Sequence, residues 1–192
     1  ATKQGASGVP SGFHSLDKIT SGWQRSDLII IAARPAMGKT AFILSMAKNM
    51  AVDYNSPVAV FSLEMSNVQL VNRLIMNVCQ LEGEKIKNGQ LDKYEWEKFD
   101  KDINLLLDAP IYVDDTPSLS IFELRSKARR LVKEHKIQCI IIDYLQLMNA
   151  SGMSFGSREQ EVSIISRSLK GLAEELDIPI IALSQLNRGV EG

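Results

Sequence analysis

The feature that most constrains this chain is the alternation of short apolar runs, rich in β-branched residues, with amphipathic helical segments. Residues 28–32 (LIIIA) and 139–143 (CIIID) are apolar almost throughout, rather than at every second position. Such runs predict strands buried on both faces, as parallel sheets require. Helical segments between them imply right-handed crossovers. We therefore predict an α/β fold with a mostly parallel sheet flanked by helices.

The helix starts carry recognisable capping sequences, Ser66 with Gln69, Ser120 with Glu123 and Ser157 with Gln160. Helices are predicted from Lys39 to about 52, from Ser66, from 94 to 107, from Ser120 to about 135 and from Ser157 to about 176. Strands are predicted at 28–32, 58–61, 111–113, 139–143 and 178–183. The polar motifs described below all follow strands, at the sheet edge where α/β proteins bind ligands.

Length and charge bound the function only loosely. A chain of 192 residues suits one α/β domain, and residues 1–12, rich in Gly, Ser and Pro, are interpreted as a linker or entry segment. The formal net charge is -1, which argues weakly against a DNA partner. If DNA binds, positive charge must be local or assembled from several subunits around a channel.

Cysteine usage and hydropathy indicate a cytoplasmic protein. The two cysteines, Cys79 and Cys139, lie far apart and have no metal-ligand spacing. No apolar signal core opens the sequence, and no apolar stretch approaches the roughly 20 residues of a membrane span.

A phosphate-binding motif follows the first predicted strand. The sequence ARPAMGKT matches G-x-x-x-x-G-K-[ST] except that Ala33 replaces the first glycine. Gly38 permits close backbone approach, Lys39 is suited to the β- and γ-phosphates of ATP, and the Thr40 hydroxyl is suited to Mg²⁺. The predicted nucleotide-binding residues are Arg34, Pro35, Ala36, Met37, Gly38, Lys39, Thr40 and Ala41. The alternative is a chance G-K-T at a helix start.

Two acids follow later strands. Asp143 ends an apolar strand, as in a Walker B motif, where the acid supports Mg²⁺. Glu64 follows the second strand, where a carboxylate can deprotonate an attacking water. The competing interpretations are a solvated acid at a strand end for Asp143 and an acid favoured by a helix N-terminus for Glu64.

Polar residues also follow the last strand. Gln185 can hydrogen-bond a γ-phosphate and change position on hydrolysis, and Arg188 can reach DNA or a neighbouring subunit. Both are also compatible with an ordinary polar loop. A basic stretch between residues 125 and 136 is interpreted as a solvated helix face, with a subunit or DNA contact as the alternative.

These motifs together resemble a known family. ARPAMGKT, SLEMS, IIIDYLQLM and ALSQLNR, in this order and spacing, are similar to the DnaB-type replicative helicases, over residues 8–192. The resemblance implies a RecA-like core at 13–192, with the strand before Gln185 between the strands before Lys39 and Asp143. It also implies ATP and Mg²⁺ as cofactors, Glu64, Lys39 and Gln185 as catalytic residues, and Thr40 and Asp143 at the metal. That family, too, lacks the first glycine of the motif.

The resemblance also implies partners. The family forms homo-hexameric rings that move along single-stranded DNA and unwind duplex, with primase and a helicase loader as partners. Residues 149–160 resemble its DNA-contacting loop, with Gly152 adding backbone freedom. Gly156, Ser157, Arg158 and Glu159 are the DNA-binding candidates; the helix start at Ser157 could itself present N–H groups to a phosphate.

The family pattern extends beyond the sequence given. It has an N-terminal helical domain, a linker helix, and further strands after ALSQLNR with an arginine finger that acts on the neighbouring subunit. An arginine finger contributes about 10³–10⁵ to turnover. We therefore expect residues 1–192 alone to bind nucleotide, to hydrolyse it poorly and not to unwind DNA.

Three alternatives share the motifs. A P-loop phosphotransferase would need an acceptor pocket and a lid, and no Arg-rich lid segment is evident. A RecA-type recombinase would exchange strands rather than unwind them. A non-catalytic, ATP-gated assembly module would show no turnover, and Glu64 at its strand end argues against it.

Overall fold

The computed structural model describes residues 7–150 and 155–186. Within them a single five-stranded sheet has the order β1-β5-β4-β2-β3, and every pair of neighbours is parallel. This confirms the predicted parallel sheet flanked by helices. The strands are β1 Leu28–Ala33, β2 Val58–Ser62, β3 Ile111–Asp114, β4 Cys139–Asp143 and β5 Ile180–Gln185.

The helices begin close to where the capping sequences place them. Ser66, Ser120 and Ser157 each accept a hydrogen bond from the backbone N–H three residues on. Two short helices, α1 and α4, were not predicted, and α2 gives way to a π turn at Asn49–Asp53 before its predicted end. The helices are α1 His14–Thr20, α2 Lys39–Lys48, α3 Asn67–Cys79, α4 Gly83–Lys87, α5 Lys93–Leu107, α6 Ile121–His135 and α7 Arg158–Leu176.

Burial follows strand order. Strands β2 and β4 are buried along their whole length, as their apolar runs predict. The same prediction was wrong in part for β1, whose Ile30 is 46% exposed. The reason is position: β1 is an edge strand of the described sheet, so it has a neighbour on one side only. An apolar run therefore does not by itself distinguish a central strand from an edge strand.

Two apolar layers cover the sheet, and β4 shows how they divide. Ile140 and Ile142 belong to one cluster, which includes Leu169 of α7. Cys139 and Ile141 belong to the other, which includes Met46 of α2. Side chains along a strand alternate between faces, so both faces of β4 are covered by helices. This burial fixes the strands whose carboxyl ends build the site.

The chain before α1 packs on the domain in its described part. Val9 pairs with Trp23 in an antiparallel bridge and is 8% exposed. Ser11 donates from its backbone and hydroxyl to the Asp17 carboxylate, at 2.9 and 2.6 Å. Residues 1–6 lie outside the described residues, so the predicted boundary at residue 12 stays a prediction.

No helix within residues 7–150 and 155–186 is long and apolar enough to cross a membrane.

Candidate nucleotide-binding site

Four strands end at one edge of the sheet and bring the predicted site residues together. The loop after β1 leads to Lys39, β2 leads to Glu64, and Asp143 and Gln185 close β4 and β5. The register aligns Ala33 with Gln185 and Ser62 with Asp143. Strand β5 lies between β1 and β4, as the resemblance implied.

The loop between β1 and α2 has the backbone of an anion cradle. Ala33 remains in the strand, paired with Gln185, so no glycine is needed there. Ala36 and Gly38 have left-handed backbones, with φ of 63° and 76°. A Cβ built on Gly38 would meet no protein atom within 4 Å, so the space in front of it is open to a ligand. With Gly38 capping α2, backbone N–H groups are gathered where phosphate binds in such loops.

Lys39 is the hub of the charged cluster. Its Nζ lies 3.0 Å from Asp143 Oδ1 and 3.4 Å from Glu64 Oε2, and 4.1 Å from the centre of the Tyr144 ring. Its side chain is only 12% exposed, whereas that of Glu64 is 47% exposed. The ammonium is thus held between two carboxylates, one buried and one in contact with water.

Asp143 is buried and incompletely satisfied. Its side chain is 0% exposed, and neither carboxylate oxygen accepts a hydrogen bond from the residues described. Lys39 Nζ forms an ion pair with Oδ1 at 3.0 Å, and Oδ2 has no hydrogen-bond donor among the described residues. Burial raises the pKa of Asp143 above its usual range, and the Lys39 ammonium only partly opposes this. Buried polar oxygens without hydrogen-bond donors are rare and cost free energy of folding. These oxygens are therefore candidates for binding a ligand.

The donor set fits Mg²⁺ and does not fit a metal caged by protein. No group of three or more His, Cys, Asp or Glu side chains suited to a metal occurs in the part of the chain that the structure describes. Mg²⁺ in phosphate-transfer sites takes one or two protein oxygens, with waters and substrate phosphates completing its shell. Asp143 and Thr40, which is 9% exposed at the start of α2, are donors of that kind.

A cavity of about 310 Å³ lies in front of this cluster. It is lined by Arg34, Pro35, Ala36, Gly38, Lys39, Thr40, Ala41, Glu64, Arg73 and Gln185. The set contains every predicted nucleotide-binding residue except Met37, whose side chain is 71% exposed. The loop main chain can still serve the ligand at Met37, but its side chain points elsewhere.

Two residues at this edge were missed from the sequence. Arg73 of α3 lines the cavity. Burial raises the pKa of Asp143, and the charge of Arg73 opposes this to a smaller extent than Lys39 does. Gln146 bonds the backbone of Gln185 from the turn after β4. Arg73 lies nine residues after Glu64, and helical spacing alone does not say which face of α3 meets the cradle. Gln146 sits in an apolar stretch with no chemical signature of its own.

The DNA-binding candidates cluster at the start of α7. Ser157 caps the helix, and the Gly156 N–H donates to Gln160 Oε1 at 2.7 Å. The Arg158 guanidinium donates to the Gln146 and Met148 carbonyls and forms a 2.7 Å ion pair with Glu161. Glu159 is exposed. Arg158 thus has internal partners, while its side chain stays 45% exposed, and its contact with DNA stays a prediction.

Two further predictions fall outside the described residues. Arg188 and Gly152 lie in the segments 187–192 and 151–154, so their roles remain as predicted from the sequence.

Comparison of the sequence with protein families and with known proteins indicates one family. The model of the DnaB-like helicase C terminal domain matches residues 8–192. A replicative DNA helicase DnaB from Geobacillus stearothermophilus is 52% identical over 184 residues, covering 96% of this chain and 40% of the relative. One from Nostoc sp. is 53% identical over 186 residues, covering 96% of this chain and 21% of the relative. The chain thus spans well under half the length of these relatives.

Comparison with solved structures indicates the same family as the sequence comparison. A structure of a DnaB-like replicative helicase, described with its interactions with primase, superposes with a TM-score of 0.88 at 40% identity. The match covers 96% of this chain and 45% of that one. A KaiC-like protein from Pyrococcus horikoshii matches with a TM-score of 0.63 at 16% identity, over 94% of this chain and 73% of that one. At that identity the likeness concerns fold alone. The two structural matches together confirm the predicted RecA-like fold.

Proposed function

The chain belongs to the DnaB-like helicase C-terminal domain family, and on that premise we propose that it is the ATP-hydrolysing motor of a replicative DNA helicase. The observation that carries the proposal is the buried Asp143 carboxylate, which has an ion pair with Lys39 and an unpartnered Oδ2 among the described residues, beside an open phosphate cradle. A structural acid would have its lone pairs satisfied within the fold. The relatives named as replicative helicases support the same activity.

ATP binding uses the groups that line the cavity. Backbone N–H groups of the loop and the N-terminus of α2 hold the phosphates. Lys39 moves from its carboxylate partners to the β- and γ-phosphate oxygens, which are stronger competitors for an ammonium. Thr40 and Asp143 would hold Mg²⁺, the latter through water. When bound, Mg²⁺ neutralises charge that develops on the phosphates during transfer.

Glu64 and Gln185 have separate roles in ATP hydrolysis. The Glu64 carboxylate is half-exposed at the mouth of the cavity, where it can take a proton from an attacking water. Gln185 lines the same cavity, at the end of a strand that neighbours both β1 and β4. Its amide can bond the γ-phosphate and lose that bond on hydrolysis.

Movement on DNA is assigned to the start of α7. The helix N-terminus at Ser157 offers N–H groups to a phosphate, and the neighbours Gly156, Arg158 and Glu159 are exposed beside it. Because the net charge is -1, the positive charge that meets DNA must be local or assembled from several subunits around a channel. We propose a homo-hexamer in the cytoplasm, with primase and a loader as partners.

The proposal is tested by ATP hydrolysis with and without single-stranded DNA, and by duplex unwinding, in the full-length protein. We expect DNA-stimulated turnover. Lys39→Ala should lose nucleotide binding, and Glu64→Gln should bind nucleotide normally while kcat falls by about 10²–10⁴. Glu97→Gln, an exposed acid on α5, is the matched control.

Other outcomes would point elsewhere. Strand exchange without unwinding would indicate a recombinase, and phosphate transfer to a small acceptor a phosphotransferase. Nucleotide binding with oligomer change and no turnover would indicate an assembly module.

A further inference from the structure

Gln146 makes an unusual set of contacts beside the nucleotide site. It lies on the 3-10 turn Leu145–Leu147, directly after β4, and is half-buried. Its Nε2 donates to the Gln185 carbonyl at 3.1 Å and to Ser184 Oγ at 2.9 Å. Its Oε1 accepts from the Gln185 backbone N–H at 3.2 Å. One side-chain amide therefore bonds both main-chain groups of the residue assigned to the γ-phosphate.

Strand pairing explains why this amide is needed. The β4–β5 ladder ends at Ile142 and Ala182, whereas the β1–β5 ladder continues to Ala33 and Gln185. The last residues of β5 thus have a partner strand on the β1 side only. Gln146 takes the place of the absent strand on the β4 side, satisfying backbone groups that would otherwise be unpaired.

The main chain of Gln146 faces the other way, toward α7. Its carbonyl accepts from the Arg158 guanidinium, as does the Met148 carbonyl at 3.1 Å. The contact is reinforced by Glu161, which pairs with Arg158 and accepts from the Ala150 N–H at 3.1 Å. Arg158, in the segment assigned to DNA, is therefore bonded to the turn that carries Gln146.

We propose that Gln146 is a positioning residue that couples Gln185 to the DNA-contacting start of α7. The proposal rests on the proposed function and adds the residue that connects its two sites. A shift of the Gln185 main chain breaks both bonds of the Gln146 amide together, because they share one rigid plane. If instead the bonds hold, the turn moves with β5 and displaces the carbonyl that holds Arg158. Coupling requires a contact with two arrangements that both ligands bias, and we assign that part to the Gln146 amide.

The alternative is a purely structural role, in which Gln146 only completes the edge of β5. That role predicts lower stability and equal loss of all activities. Coupling predicts something else: DNA loses its effect on ATP turnover, and ATP loses its effect on DNA affinity.

The test is Gln146→Met in the full-length protein, which keeps the shape and the backbone carbonyl and removes the amide. Gln138→Met, an exposed position just before β4, is the matched control. The measurements are ATP turnover with and without oligo-dT, KM for ATP, and oligo-dT affinity with and without an ATP analogue. We expect DNA stimulation to fall about tenfold, within the usual span of allosteric coupling, while KM changes little. An unchanged stimulation ratio in folded Gln146→Met overturns the proposal.

A second variant covers misfolding of the first. Gln146→Glu keeps an acceptor for the Gln185 N–H and loses both donated bonds, so stimulation should again fall, and thermal unfolding shows that the variant is folded. Wild-type stimulation in this variant overturns the proposal. If the wild-type protein itself shows no DNA-stimulated turnover, it is the proposed function that fails.

Discussion

Asp143 and Asp114 are two acids that each end an apolar strand of the same sheet, and they have opposite surroundings. They lie almost level, since Phe61 of β2 aligns with Asp114 on one side and with Ile142, the neighbour of Asp143, on the other. Both follow three apolar residues, in IYVD and IIID. From sequence alone, either could have been the metal-supporting acid.

Their partners differ completely. Asp114 accepts from Lys127 Nζ at 2.7 Å and from the Thr116 N–H at 3.0 Å. Burial raises its pKa, but these bonds outweigh burial and leave the pKa lowered. Asp143 has an ion pair with Lys39, no hydrogen bond from the described residues, and a raised pKa. A satisfied carboxylate stabilises a fold, whereas an unsatisfied one is available to a ligand.

The same contrast separates two cavities of similar size. One of about 350 Å³ lies between β3 and α6, and its lining includes Asp114, Lys127 and Arg130. In this cavity the Asp114 carboxylate and the Lys127 ammonium form an ion pair. The cavity of about 310 Å³ at the cradle has Gly38 open to a ligand. Volume does not identify the site, but the state of its polar groups does.

The largest expected effect separates the two acids by activity. Asp143→Asn should lower ATP turnover by about 10³, since metal support is worth several kcal/mol and each 1.4 kcal/mol is tenfold. Asp114→Asn should leave turnover within about twofold, because Asp114 bonds Lys127 and Thr116 and does not line the nucleotide cavity. Steady-state ATP hydrolysis with Mg²⁺ in the full-length protein is the measurement. Equal losses in both variants would remove the distinction.

A smaller effect tests the structural pair. Lys127→Met should lower the free energy of unfolding by about 1–2 kcal/mol, because a charge-assisted bond is lost and Asp114 keeps only part of its partners. Lys127 is 28% exposed, so water limits the loss. Lys133→Met on the same helix is the control, and chemical denaturation measures both. Equal stability of the two variants would show that the Asp114 pair is not stabilising.

At the nucleotide site we expect a substitution to raise stability, whereas Lys127→Met lowers it. Without nucleotide, Asp143→Asn should raise the unfolding temperature by about 2–4 °C, the shift that 1 kcal/mol gives in a domain of this size. The reason is that burial disfavours the charged form of Asp143, as its raised pKa indicates, and the amide of Asn carries no charge. Thermal unfolding at pH 7 checks this, and a fall in unfolding temperature would mean that the Lys39 pair stabilises the fold.

The smallest expected effect is the difference in free energy of unfolding between the wild type and the two Asp→Asn variants at acidic pH. The lowered pKa of Asp114 contributes stability above its usual value of 3.8, and this is lost as pH falls through the folded-state pKa. The raised pKa of Asp143 acts oppositely: its contribution is favourable below 3.8 and is lost as pH rises through the folded-state pKa. Compared with the wild type at pH 7, Asp114→Asn should therefore be less stable and Asp143→Asn more stable, and both differences should shrink toward zero in acid. Differences of equal sign at pH 7 would contradict this.

The comparison also shows what the sequence could predict. Strands, crossovers and helix caps are local patterns, and the cradle, Glu64, Asp143 and Gln185 meet at one sheet edge because every strand is parallel. The exposure of Ile30 depends on strand order, which periodicity does not contain. Arg73, Gln146 and Lys127 act through partners distant in the chain, and their residue types carry no signature. The basic helix was interpreted as solvated, yet its Lys127 forms an ion pair with Asp114, a half-buried acid on β3.

The most direct test of the account is a crystal structure of the full-length protein with Mg²⁺ and a non-hydrolysable ATP analogue. We predict the triphosphate in the loop after β1, with Lys39 moved from Asp143 to a phosphate oxygen and the Asp143 carboxylate bound to the metal through water. A triphosphate bound elsewhere, for example between β3 and α6, with the Lys39–Asp143 pair intact, would contradict it.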